Sequence, residues 1–312
     1  MEFLSIGRKN FLKVSKIGMG LWQASSAWKG DEESIIEAVG TAMQNGVNFL
    51  DTAEAYGNGN SERVLGRALK KYGRENFIIA TKVAGAHLRY DELQRAAEAS
   101  IKRLGVNYID LYQIHWPDPW EQIPFSQTFK GMKKLYENGK IKAIGVSNFA
   151  VRDLEEAMGI LGDVPIVSNQ VRYNLIQRNI EEEVLPFCRK NRITIIAWSP
   201  LAQGVLTGKY NKGNSPKGDI REGNELFSPK NLDSLENIIA VLKMLSEKYS
   251  KTSAQIALNW LISKEDVVPI PGAKNSKQAL ENAESASFTL EKKDISELNS
   301  AFASSKIDYL PQ

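Results

Sequence analysis

The stretch Tyr108-Ile109-Asp110-Leu111-Tyr112-Gln113-Ile114-His115 is apolar almost throughout and closes on an ionisable side chain. So few polar breaks in a short run suit a parallel strand covered on both faces; a strand with one wet face alternates instead. Upstream, Asp91–Leu104 sets Leu93, Ala97, Ile101 and Leu104 on one helical stripe and meets a stop at Gly105. Downstream, Phe125–Asn138 repeats the helical period, closes at Gly139 and leads into a second apolar run, Ile141–Ser147. The repeating unit is a buried strand followed by an amphipathic helix.

The same unit recurs in both directions. Lys16–Gly20, Val47–Asp51 and Phe77–Lys82 precede it as strand candidates, and Ile166–Gln170, Ile193–Trp198 and Val267–Ile270 follow it. In Asp31–Asn45 the apolar face is Ile35, Ile36, Val39, Ala42 and Met43, with Gly46 as the stop. Eight strands each followed by a helix, roughly 30 residues apart, predict a single α/β domain over residues 1–312, a (β/α)8 TIM barrel. An open doubly wound sheet is the alternative with the same alternation. Phe3–Ile6 and Phe11–Val14, joined by a turn through Gly7–Asn10, predict a β-hairpin that closes the barrel bottom. Val205–Leu232 is rich in Gly, Asn, Lys and Pro and has no period. Long irregular segments are often functional, so a flap over a bound ligand is preferred to an idle insertion.

At 42% hydrophobic and 25% charged, the 312-residue chain has enough apolar material for a large core. The net charge is +3 with basic residues scattered, which argues against a nucleic-acid partner. Cys188 is the single cysteine; it excludes an intrachain disulfide and, among Val184 and Leu185, reads as a buried structural thiol. No secretory leader and no apolar run of about 18 residues is found, so the expectation is a cytoplasmic protein without a membrane partner. No heptad or symmetry signal speaks to oligomeric state, which stays open between monomer and homo-oligomer.

In such a barrel, chemistry sits at the C-terminal ends of the strands. Asp51 closes the second strand candidate, Lys82 the third and His115 the fourth, while Tyr56 lies in the loop after Asp51. Taken singly, the aspartate reads as a cap or turn residue, the lysine as solvated and the histidine as a satisfied structural group. Together they form one machine. A tyrosine titrates near 10, too high for an efficient acid at neutral pH. A lysine ammonium beside it lowers that value, a buried lysine needs the countercharge of Asp51, and His115 is able to donate a hydrogen bond to a carbonyl oxygen. A group that protonates an oxygen while something else attacks the carbon is what carbonyl reduction requires.

Leu50-Asp51-Thr52-Ala53-Glu54-Ala55-Tyr56-Gly57 with Ser61-Glu62 and Leu65-Gly66 resembles a signature of the aldo-keto reductase superfamily. So do Arg103-Leu104-Gly105 before Tyr108–His115, Gly139–Phe149, Asn169-Gln170 with Tyr173-Asn174, Trp198-Ser199-Pro200-Leu201 with Gly204, and Pro269–Ala273 through Glu281-Asn282. The resemblance runs in order over essentially the whole chain. It implies an NADP(H)-dependent oxidoreductase that reduces aldehydes and ketones to alcohols, with hydride passing from nicotinamide C4 to the carbonyl carbon and Tyr56 as proton donor. Asp51 and Lys82 would tune Tyr56, and His115 would position the carbonyl.

The resemblance also implies cofactor contacts. Ser147, Asn148 and Gln170 would bond the carboxamide, Trp198 would stack on the nicotinamide, and Gly20, Leu21 and Trp22 would form the first rim loop against the cofactor. Asp51, Ser199, Pro200, Leu201, Gly204, Gly272, Lys274 and Gln278 would also bind the cofactor. Its pyrophosphate and adenosine would lie under the Val205–Leu232 loop and beside Pro271–Asn282, with Lys209 reaching phosphate oxygens and Glu281 and Asn282 the adenine. Tryptophan at 198 is similar to the branch holding potassium-channel β-subunits and bacterial general-aldehyde reductases. Many relatives place arginine against the 2′-phosphate; here Gln278 stands there and Lys274 offers the cation.

Two glycine motifs mislead. Gly18-Met19-Gly20 lacks the third glycine of a dinucleotide fingerprint, and Tyr56–Ser61 lacks a P-loop ending. Trp22, Trp28, Trp116, Trp120 and Trp198 fall at or just after strand ends, which suggests an aromatic cleft; the substrate pocket is expected at Trp22, Tyr56, His115 and Trp116. Trp28 and Trp120 read equally well as loop packing, Trp260 reads as core and His87 as a solvated loop residue. No metal site is expected from two histidines and one cysteine. The runner-up functions are a cofactor-occupied regulatory subunit with slow turnover and a Schiff-base enzyme using Lys82.

Overall fold

An antiparallel hairpin, β1 (Phe3–Ile6) and β2 (Leu12–Ser15), begins the computed structural model, which describes residues 1–7, 11–25, 28 and 30–305. Eight parallel strands follow: β3 (Met19–Gly20), β4 (Phe49–Asp51), β5 (Ile78–Val83), β6 (Ile109–Ile114), β7 (Ile141–Ser147), β8 (Ile166–Arg172), β9 (Thr194–Trp198) and β10 (Val267–Pro269). They pair in chain order. The first and last approach each other through Gly18 N to Pro269 O (2.9 Å), Gly20 N to Pro271 O (3.1 Å) and a parallel bridge between Gly20 and Gly272. That contact closes the curled sheet as a barrel and disposes of the open-sheet alternative.

Helices α1 (Glu32–Gln44), α2 (Asn60–Tyr72), α3 (Tyr90–Leu104), α4 (Phe125–Glu137), α5 (Val151–Leu161) and α6 (Val184–Lys190) follow β3 to β8 in turn. Their boundaries have local causes. Asp31 accepts from Ser34 N (2.8 Å) to cap α1, and Gly105 at φ 66° ends α3 in the left-handed region that glycine tolerates best. The β9–β10 connection holds α7 (Pro229–Ser234), α8 (Glu236–Tyr249) and α9 (Ser253–Ile262); α10 (Ser276–Glu284) and α11 (Lys292–Ala303) come last. Packing of α1 on α10 completes the outer ring.

Two cores result. The larger lies between strands and helices and includes Trp260, as expected. The smaller fills the barrel: Phe49, Ala80, Leu111, Ala143, Val167, Ile196 and Val268, one from each of β4 to β10, meet Ile6, Leu12 and Val14 of the hairpin. Burying a large apolar side chain contributes about 1.5–3 kcal/mol, so the plug is held by its three inward residues. A Cβ on Gly7 would stand 2.9 Å from Val167 Cγ1, and the residue has φ +81°, so the hairpin rests directly on the barrel floor.

Three expectations need correction. The second hairpin strand is Leu12–Ser15, one residue later than Phe11–Val14, because Ile6 pairs with Leu12 and Phe11 stays exposed; residues 8–10 of the expected turn lie outside the described residues. The first barrel strand shrinks from Lys16–Gly20 to two residues. Pro269 and Pro271 opposite it carry no amide to return its bonds, so the ladder there runs one way. Val205–Leu232 is not structureless: it holds 3-10 turns at Ala202–Thr207 and Glu225–Phe227 and the start of α7, where Ser228 caps before Pro229.

Candidate active site

Each functional side chain comes to the rim from its own strand. Asp51 ends β4, Lys82 lies near the end of β5, and His115 follows β6 with its amide bonded to Val83 O at 3.0 Å. Tyr56 hangs on a tight loop. That loop is tied back by Glu54 N to Lys82 O (3.3 Å) and by the Thr52 and Ser61 hydroxyls, 2.7 Å apart, with Ser61 Oγ also reaching Leu21 O (2.8 Å).

Lys82 is wholly buried, and its ammonium spends all three donors locally. It reaches Asp51 Oδ1 at 2.6 Å, Thr52 O at 2.8 Å and the Tyr56 hydroxyl at 3.4 Å. Burial would push its pKa down, but the charge of Asp51 and the hydrogen bonds to Asp51 and Tyr56 together outweigh burial and hold it above the ordinary lysine value. Tyr56 departs from expectation. Burial raises its pKa, the pull of Lys82 lowers it less, and Asp51 raises it again, so the net direction is upward and the phenol keeps its proton. Burial and the nearby Lys82 push His115 down to about 3, leaving a neutral imidazole at physiological pH.

The groups share one cavity of about 770 Å³ at the C-terminal mouth of the barrel. Of the residues assigned from sequence to catalysis, cofactor or substrate, all but Lys82 line it, and Lys82 lies beneath its floor. Trp22, Tyr56 and His115 stand ring to ring, with centroids 6.3 Å and 5.5 Å from that of Tyr56. Trp116 borders the opening, Trp28 packs edge-on against Trp22, and Trp120 points away, 76% exposed. His87 is not in the cavity; its Nδ1 lies 2.9 Å from Glu54 Oε1. Burial pushes the Cys188 thiol up to about 12, as befits an inert structural residue.

At the far wall, Ser147 Oγ donates to Gln170 O (2.8 Å) and Asn148 Nδ2 to His115 O and Ser147 Oγ (3.0 Å each). Trp198 Nε1 donates to Asn148 Oδ1 at 3.0 Å, and Arg172 covers the Trp198 ring at 4.4 Å. Asn148, Ser199, Ala202 and Gln203 have φ between 48° and 62°. Left-handed backbone at four non-glycine residues beside one cavity is strain of the kind kept at functional sites.

The residues fit a dinucleotide. Gly20 and Gly272 border the cavity where β3 meets β10; a Cβ on Gly20 would sit 2.9 Å from Ile270 O, and one on Gly272 would run into the Gln23 side chain. Gln23 Oε1 and Trp28 Nε1 are buried without a partner in the same loop. Lys209, Arg221, Lys274 and Lys277 supply positive charge to the cavity lining. Glu281 accepts from Thr252 Oγ1 (2.7 Å), Asn282 Nδ2 donates to Gly272 O (3.1 Å), and Gln278 Oε1 accepts from Lys274 N (2.8 Å). Among the described residues no group of three or more His, Cys, Asp or Glu is placed to hold a metal ion, and no helix is long and apolar enough to cross a membrane.

Sequence reasoning overlooked Gln113, Gln23, Tyr210, Arg221 and Lys277. Gln113 carried a usable signal, an amide in a strand whose one other break in the apolar run is Asp110. Arg221 carried none: one arginine in a polar loop reaches the cavity by stacking over Trp28 (5.3 Å) and bonding Gln203 O (3.1 Å) and Tyr210 Oη (3.0 Å).

Comparison with known proteins agrees with this geometry. The family model described as "Aldo/keto reductase family" matches residues 16–303. The chain is 35% identical to aldo-keto reductase YhdN of Bacillus subtilis over 96% of its own length and 93% of that protein. It is 31% identical to the NADH-specific methylglyoxal reductase of Escherichia coli, over 91% of this chain and 93% of that one. A crystal structure of an aldo/keto reductase from Klebsiella pneumoniae in complex with NADP and acetate superposes with a TM-score of 0.74 at 28% identity, covering 93% of this chain and 92% of that one.

Proposed function

The chain belongs to the aldo/keto reductase family, and from that premise we propose that it is an NADP(H)-dependent reductase of aldehydes and ketones with Tyr56 as its proton donor. One observation carries the reading: the Tyr56 hydroxyl lies 3.4 Å from a fully buried lysine paired with Asp51, at the floor of a cavity lined by aromatic rings. Reduced nicotinamide, when bound there, supplies the hydride.

The protein's own groups do the rest. Tyr56, protonated because burial raises its pKa, donates to the oxygen of the substrate carbonyl. Lys82 stabilises the phenolate left behind, and Asp51 keeps Lys82 charged and aimed. Neutral His115 offers an N–H to the same oxygen, which fixes the carbonyl between two donors. Trp22, Trp28 and Trp116 exclude water from that end.

Ser147, Asn148 and Gln170 are assigned to the carboxamide and Trp198 to the nicotinamide face. Gly20, Leu21, Ser199, Pro200, Leu201, Gly204 and Lys209 are assigned to the ribose and pyrophosphate, and Gly272, Gln278, Glu281 and Asn282 to the adenosine. Preference for a 2′-phosphate is assigned to Lys274 and Lys277, cavity cations just before and in the first turn of α10. The Klebsiella neighbour is in complex with NADP, whereas the Escherichia relative bears the name of an NADH-specific enzyme, so the preference varies among relatives, and replacing these two lysines tests it in this chain.

A Schiff-base role for Lys82 finds no support. Its pKa is raised, so the free amine that such chemistry needs is suppressed. The test is oxidation of NADPH by an activated aromatic aldehyde, wild type against Tyr56→Phe. The expected loss is about 10²- to 10⁴-fold in kcat with NADPH binding retained. Tight NADPH binding without turnover in the wild type would overturn the proposal in favour of a cofactor-occupied regulatory protein.

A further inference from the structure

Gln113 does not border the cavity; it lies one layer behind, level with Lys82 on the adjoining strand. It is fully buried, and both ends of its amide are engaged. Nε2 donates to Asp51 Oδ2 at 3.2 Å, and Oε1 accepts from Gln170 Nε2 at 3.4 Å. Gln170 Nε2 donates to the same Asp51 oxygen at 2.8 Å. Asp51 thus has Oδ1 held by Lys82 and Oδ2 shared between two amides, only one of which belongs to a cavity-lining residue.

A buried carboxylate oxygen left without donors is costly. If Gln170 turns its amide to a nicotinamide carboxamide, Oδ2 keeps a donor only through Gln113. We propose that Gln113 is a positioning residue that holds Asp51 on Lys82 while Gln170 is drawn to the cofactor, an inference that rests on the function proposed above. An apolar side chain at 113 would make Gln170 serve either Asp51 or the cofactor, and cofactor affinity would fall.

The test is NADPH titration by quenching of tryptophan fluorescence in wild type, Gln113→Met, Gln170→Met and the double variant. Gln113→Met is expected to weaken binding about tenfold. In the Gln170→Met background the same change is expected to matter less than about twofold, because Asp51 then loses its donor equally with and without cofactor. No weakening in the first comparison, or equal weakening in both, overturns the proposal. Thermal unfolding reports whether each variant folds. Gln113→Asn, which withdraws the amide from Asp51, is judged by the same criteria if the methionine variant does not fold. A wild type that binds no NADPH sinks the functional reading and this inference with it; wild-type binding indifferent to Gln113→Met sinks this inference alone.

Discussion

The ammonium of Lys82 lies 2.6 Å from Asp51 Oδ1, with both side chains closed to solvent. A pair buried this deeply loses its water on folding, and its members depend on each other. Removing one leaves an uncompensated charge inside the barrel. Asp51→Asn is expected to destabilise the protein by about 3–5 kcal/mol, read by urea unfolding. The double variant Asp51→Leu/Lys82→Met should recover part of that loss while remaining inactive. A double variant less stable than both single variants would show that the pair contributes net stability.

The titrating groups set a flat activity profile. In the proposed mechanism Tyr56 would donate only while protonated, and burial raises its pKa beyond the ordinary tyrosine value, so this requirement would be met throughout the neutral range. His115 is already neutral above about 3. The kcat for reduction should therefore show no limb between about pH 5 and 9. A limb near 6.5 that disappears in His115→Gln would mean that the imidazole titrates during turnover.

His115 also links acid to stability. Its folded pKa is depressed from 6.5 to about 3, so the unfolded chain takes up the proton first. The stability associated with its neutral form is complete above 6.5 and declines as pH falls toward 3. Urea midpoints between pH 7 and 4 should fall more for wild type than for His115→Gln. Parallel decline in the two proteins would rule out this contribution.

Most of the barrel was legible because its strands are buried on both faces and so read as apolar runs; Ile141–Ser147 was placed to the residue. The first strand was not, since its length depends on which amides the opposing Pro269 and Pro271 lack, a fact about partners distant in sequence. Among site residues, Asp51, Lys82 and His115 could be found by position at strand ends. The direction of the Tyr56 shift could not: it turns on how far burial outweighs the Lys82 charge, which only the packed structure decides. Arg221 and Gln23 escaped for a similar reason, each lying beside residues distant in sequence, Trp28 and Gly272 respectively, rather than in a local pattern.

Barrel closure at Gly20 and Gly272 gives a paired test. A Cβ on Gly20 meets backbone, Ile270 O at 2.9 Å, which has little room to yield, whereas one on Gly272 meets the flexible end of Gln23. Gly20→Ala should therefore cost about 1–3 kcal/mol, and Gly272→Ala much less, provided that Gln23 swings aside. Thermal unfolding of the two variants distinguishes them. Equal effects would mean that Gln23 is as firmly held as the backbone.

Arg221 ties the long β9–β10 connection across the cavity to Trp28. Its guanidinium stacks on Trp28 and Tyr210, donates to Gln203 O, and is held by Asp219, whose pKa it lowers to about 2. Gln203 is itself in left-handed backbone, so the segment is shaped around this contact. With a cofactor beneath, the same contact would retard its escape. Arg221→Ala is expected to raise the NADPH dissociation rate about five- to tenfold in stopped-flow displacement, with a smaller effect on the association rate. Arg221→Lys should fall between, because the ammonium keeps the charge but loses the planar stack. An unchanged dissociation rate in Arg221→Ala would confine the residue to stiffening its own loop.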